Sequence, residues 1–214
     1  LSDIVMGGGL LPPHDVLVID EAHHLQSVAT RQLGFSVNHQ ILNSGLTSLV
    51  GDTGMVSDFL KISQKKEHNE DIRHAASEVL DASTNTLDTS GVLFPMLGHF
   101  ISDQTRKSGG NDLRITNSTR ELDIWNDIEM ATENLLTAAD RLCVLLQRLI
   151  TEGTRSDTDD DIINGASQKL NESREFISKT ADQIREVFQF PKNDFVYWLK
   201  NQRMAELSKL MERL

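Results

Sequence analysis

The chain of 214 residues contains one cysteine, Cys143. No disulfide can form within it, and no zinc or iron–sulfur site can be assembled from its own thiols. Cys143 lies among Leu142, Val144, Leu145 and Leu146, which points to a small core residue and not a nucleophile. Aromatic residues make up only 5%. Few aromatics with many Leu, Ala and Ile suit helices packed side by side better than a β-sandwich. The apolar fraction is low at 38%, yet a chain of this length can bury a real core in one or two domains. No uninterrupted apolar run approaches the roughly 20 residues that cross a bilayer, and no charged-then-apolar leader opens the sequence. A cytoplasmic chain without a membrane partner is therefore expected. Basic residues are outnumbered, 21 against 32, and the net charge is −11. Such a surface repels phosphate backbones, so any nucleic-acid contact must come from local basic spots. Finally, no Gly-Lys pair occurs anywhere, so the Gly-Lys-Ser/Thr loop that cradles nucleotide phosphates is missing.

Against these absences stands one sharp feature, Val16-Leu-Val-Ile-Asp-Glu-Ala-His-His-Leu25. The apolar run Val16–Ile19 follows Pro12 and Pro13 and predicts a short buried strand of a parallel sheet. Carboxylates at the end of such a strand stand where open α/β sheets bind ligands. A strand delivering Asp20 and Glu21 to that edge has the form of a Walker B element. In that chemistry the first carboxylate holds Mg²⁺ through water and the second orients the attacking water. An acidic helix N-cap would also place carboxylates here, but the full strand before and Ala22-His23-His24 after favour Walker B. Zinc binding by His23 and His24 is disfavoured, because adjacent helical residues point apart. Gly7-Gly8-Gly9 is followed by Leu10, Leu11, Pro12 and Pro13, without a lysine, and reads as a connector. Half a nucleotide site, in a chain that starts at Leu1, is expected to be an internal piece of a larger ATPase.

Beyond this first unit the texture changes. Residues 1–35 form a connector, the strand, and a short helix from Ala22 through Arg31 stopped near Gly34. From Ser36 onward helical periodicity takes over. Helices are predicted over 38–50 and Met55–Ile62, then on a face marked by Ile72, Ala75, Ala76, Val79 and Leu80. A polar break near 81–91 precedes another face with Leu93, Leu97, Phe100 and Ile101. Thr105–Ser118 reads as a loop. Ser118 and Glu121 have capping-box spacing. Ile128, Leu135, Leu142 and Leu149 recur every seven residues, with Trp125, Ala131, Ala138 and Leu145 in a second seam. After an acidic loop over 151–161, Ile163, Leu170, Ile177 and Ile184 repeat the period. An antiparallel hairpin of two helices of about 30 and about 27 residues follows, each on the order of 40 Å long. Internal packing is expected, and so a monomer, because alanines fill the second seam. Phe195–Leu199 predicts a strand, and 202–214 look helical on propensity. The basic spots Lys61, Lys65 and Lys66, and Arg106 with Lys107, read as solvated surface, with DNA contact the minority alternative. Trp125 and Trp198 read as core and not as base-stacking platforms.

Asp15-Val-Leu-Val-Ile-Asp-Glu-Ala-His-His-Leu25, Thr30-Arg-Gln-Leu-Gly-Phe-Ser-Val37, a helical insertion of over 150 residues and Phe195-Val-Tyr-Trp-Leu199 together resemble the DinG branch of the XPD-like superfamily 2 DEAH-box DNA helicases. The resemblance covers residues 10–200 and is specific at 15–25 and 33–37. It implies a mainly α chain: a fragment of helicase domain 1 over 1–35, a helical Arch domain over 36–190, and a return segment over 191–214. The flanking strands would belong to the helicase α/β domain. Asp20 would match the Mg²⁺-binding carboxylate, Glu21 the water-orienting one, and His23 the histidine coupling nucleotide to nucleic-acid state. ATP and Mg²⁺ would be cofactors of the intact enzyme and single-stranded DNA its partner, partly enclosed by the Arch. An iron–sulfur cluster precedes this segment in many relatives but has no ligand here. The fragment alone is expected to be inactive. Two other readings are an autonomous helical protein-interaction module and a coiled-coil protein with a chance motif; the strand before Asp20 argues against the latter.

Overall fold

A computed structural model describes residues 34–64, 69–106, 112–155, 161–202 and 204–211. Among these, the chain is mainly helical. In order it forms β1 (Ser36–Asn38), α1 (His39–Thr47), α2 (Met55–Ser63), α3 (Asn69–Thr105), β2 (Asp112–Ile115), α4 (Asn117–Arg120), α5 (Asp123–Thr154), α6 (Asp161–Phe188), β3 (Phe195–Gln202) and β4 (Met204–Met211). The predicted strand over 16–19 and the helix over 22–31 lie outside the described residues.

The seven-residue pattern does what its period requires. Ile128, Leu135, Leu142 and Leu149 of α5 are all buried, as are Ile163, Leu170, Ile177 and Ile184 of α6. α5 runs 32 residues and α6 28. They lie antiparallel, because Trp125 at the start of α5 packs on Phe188 at the end of α6 and Asp140 pairs with Arg185. The hairpin is not the whole core. α3 packs along α5 more extensively than α6 does, also antiparallel, with Phe100 against Trp125 and Glu78 paired to Arg148. Three long helices therefore share one apolar seam, and α1, α2 and the turn between them close it with Leu46, Leu49, Val56 and Phe59.

α3 overturns the polar break expected over 81–91, for it runs unbroken for 37 residues. Its hydroxyls are satisfied inside the helix: Ser83 donates to the Val79 carbonyl, Thr86 to Ala82 and Ser90 to Leu87. These residues are buried, which is possible because each hydroxyl satisfies itself on its own backbone. Ser90 also donates to Asn43 Oδ1 of α1 at 2.9 Å.

Four more differences from expectation concern the ends of elements and their type. α1 ends at Thr47, not 50. The capping box belongs to Thr116 and Thr119, not Ser118 and Glu121. The loop expected over 105–118 contains β2, and the helix expected over 202–214 is strand β4 over 204–211. The strand predicted at 195–199 is present and extends to Gln202. The four strands form an antiparallel sheet in the order β1-β4-β3-β2. Val37, Leu199 and Tyr197 are buried there, and the sheet packs on α3. The pairing of Ser36 with Ser208 brings the start and end of the described fold side by side.

Close helix approach depends on two glycines. A β-carbon at Gly153 would land in the buried Phe59 ring, and one at Gly45 in the Phe176 ring. Gly165 of α6 faces open space. In urea denaturation, Gly153→Val is expected to lose about 1–3 kcal/mol through overpacking, whereas Gly165→Ala should gain about 0.5–1 kcal/mol from helix propensity.

Candidate functional site

Asp20, Glu21 and His23 lie outside the described residues, as do His24, Lys65, Lys66 and Lys107. The structure places the remaining candidates. Lys61 is a local pin: its Nζ donates to the Asp52 carbonyl at 3.1 Å and to Asp58 Oδ1 at 3.0 Å, holding the α1–α2 turn. Arg106 is exposed just past α3. Trp125 is core, 1% exposed. Trp198 is half-buried on β3, paired in register with Arg114 and Ser208.

The segment joining the helical bundle to the sheet is tightly bonded. Arg120 donates to the carbonyls of Val187 at 2.7 Å and Phe188 at 3.2 Å, the last turn of α6, where free carbonyls need donors. Its guanidinium lies over the Trp125 ring at 5.2 Å, and the Trp125 indole N–H donates to Glu129 at 2.8 Å. Burial lowers the Arg120 pKa, and the nearby Glu129 and Tyr197 oppose that shift. Beyond α6, the Tyr197 hydroxyl donates to Glu186 Oε1 at 2.8 Å and accepts from the Lys192 amide at 3.0 Å. Burial, with Glu186 adding to it, pushes Tyr197 up to about 12. These bonds set the direction in which the end of α6 turns into β3.

One surface is concave. Three adjoining depressions, of about 380, 230 and 380 Å³, run along α6 beside β1, α1 and α2. Phe35, Ile41, Met55 and Phe176 supply apolar lining, with Lys179 and Glu175 among the charges. This mixture suits an extended polypeptide segment better than a small molecule needing enclosure. Among the described residues no group of three His, Cys, Asp or Glu side chains is placed to hold a metal. None of their helices is long and apolar enough to cross a membrane.

Sequence reasoning missed His39, which is buried and stacked on Phe94 at 4.9 Å. A lone histidine before Ile41 and Leu42 carries no periodic signal of burial. Cys143 is half-buried, its thiol pointing at the Arg174 carbonyl at 3.6 Å. Burial pushes it up to about 11, so its thiolate is scarce at neutral pH. No protein-family model, curated protein or solved structure matches this chain.

Alkylation of native Cys143 by iodoacetamide at pH 8 should be slower than that of the urea-unfolded chain by on the order of 100-fold, from the thiolate fraction alone. Equal rates, followed by mass spectrometry, would contradict the buried thiol.

Proposed function

We propose that this chain is the DEAH-motif and Arch-type segment of an ATP-dependent DNA helicase of the DinG and XPD-like kind, working in the cytoplasm. The observation that carries the reading is the run Val16–Leu25, an apolar stretch ending in Asp20-Glu21-Ala22-His23. In this proposal Asp20 holds the Mg²⁺ of Mg·ATP through water, Glu21 orients the attacking water, and His23 couples the nucleotide state to bound DNA. The phosphate loop that this chain lacks would come from elsewhere in the intact enzyme. The neighbouring strands β1 and β4 support the reading, since an insertion must leave and rejoin its host at one place. The described residues would enclose single-stranded DNA without touching ATP. As part of a chain with a net charge of −11, they would act as a wall and not as an electrostatic trap.

A helical protein-interaction module is the second reading, and two observations favour it. The four strands pair with each other, so the described unit completes its own sheet, and it carries a groove along α6.

Two substitutions in the intact enzyme test the first reading. Glu21→Gln should leave ATP binding nearly unchanged while lowering single-turnover hydrolysis by about 10²–10⁴-fold, since an amide cannot take the water's proton. Asp20→Asn should weaken Mg·ATP binding as well, because it removes charge beside the metal. Hydrolysis by Glu21→Gln at the unaltered rate would remove the Walker B assignment. The 214-residue chain alone should show no ATPase above background.

A further inference from the structure

His39 opens α1 at the point where the chain passes from the sheet edge into the helices. Its side chain is 8% exposed and lies parallel to Phe94 of α3, with centroids 4.9 Å apart and planes inclined by 12°. Its Nε2 is buried with no hydrogen-bond partner. The preceding residue, Asn38, caps α1 by accepting from the Ile41 amide at 2.8 Å, and β1 reaches the sheet through Asn38 paired with Glu206. The imidazole thus ties β1 and α1 to the long helix α3.

The charges around this ring are sparse. β1 and the rest of α1 contain no ionisable residue, and neither does α3 between Thr89 and Gly98, the turns that carry Phe94. β4 brings Glu206, in register with Asn38. α6 brings Lys179, which lines the groove with Asn38 and Ile41. The amino end of α1 adds partial positive charge from its free amides. An imidazolium here would lose its hydration, gain no bond at Nε2 and face the wrong end of a helix dipole.

We propose that His39 is a proton-operated latch: uptake of one proton from solvent drives the ring off Phe94 and releases β1 and α1 from α3. Burial lowers the pKa of the packed ring, whereas a released ring titrates at the ordinary value of about 6.5. The closed form is therefore fully favoured above about pH 6.5, and its advantage falls as pH drops below that value. Neither the ATPase reading nor the groove enters this inference, so it can fail without them.

Amide hydrogen exchange of the 214-residue chain between pH 7.5 and 5, corrected for intrinsic rates, reads the latch directly. The opening constant of the α1 amides Ile41–Thr47 should rise as pH falls below ~6.5, by up to about tenfold per pH unit, while the α5 amides Leu135–Leu146 stay protected. His39→Phe keeps the stack, cannot titrate, and should flatten that slope. An unchanged slope in His39→Phe, or none in the native chain, overturns the proposal. Should His39→Phe not fold, the imidazole C2 proton of the native chain decides by NMR. A pKa below the ordinary value, with α1 shifts following the same titration, supports the latch; an ordinary pKa with still α1 resonances overturns it.

Discussion

The apolar seam along α5 is the constraint on which the rest of the molecule depends. α5 is flanked by α3 on one side and α6 on the other, and its Leu135, Leu142, Leu146 and Leu149 are almost fully removed from water. Each such side chain contributes about 1.5–3 kcal/mol relative to exposure. Without that seam neither neighbour has a reason to be straight or long. The sheet in turn rests on α3, and α1 and α2 cover what remains. Where the helices approach most closely the packing leaves no spare volume, as Gly153 against Phe59 shows. The polar bonds of Arg120 and Tyr197 act later in this order: they aim the end of α6 and the turn into β3, on a bundle that already exists.

What could be read from the sequence follows from the range of the interactions. The heptads of α5 and α6 are local repeats, so their helices and buried faces were legible residue by residue. β4 was not. Met204-Ala-Glu-Leu-Ser-Lys-Leu-Met211 has the propensities of a helix, and its extended form comes from β3 on one side and β1 on the other. The pairing with β1 joins segments far apart in the chain and leaves no mark within eight residues. The stretch 81–91 failed for the opposite reason. Its Ser and Thr residues look like a break, yet Ser83, Thr86 and Ser90 return their hydroxyls to carbonyls one turn back and pack inside. Of the candidate site, Asp20, Glu21 and His23 are proposed from the motif alone, and they lie outside the described residues. His39 was illegible because its burial comes from Phe94, far along the chain.

The proposed function separates chemistry from mechanics. The carboxylates stand before residue 34, and the described residues offer no metal-holding cluster and no activated thiol. They offer instead a three-helix body in which Ser36 and Ser208, near its two ends, are paired neighbours. A body so attached can be removed without spreading its host apart. Replacing residues 36–208 of the intact enzyme by a short Gly-Ser linker therefore tests the central claim most directly, with ATP hydrolysis and strand displacement measured on the same preparation. The account predicts that ATP turnover survives while strand separation is lost. Strand separation at the unaltered rate, or lost hydrolysis in a variant that still folds and binds ATP, would contradict it.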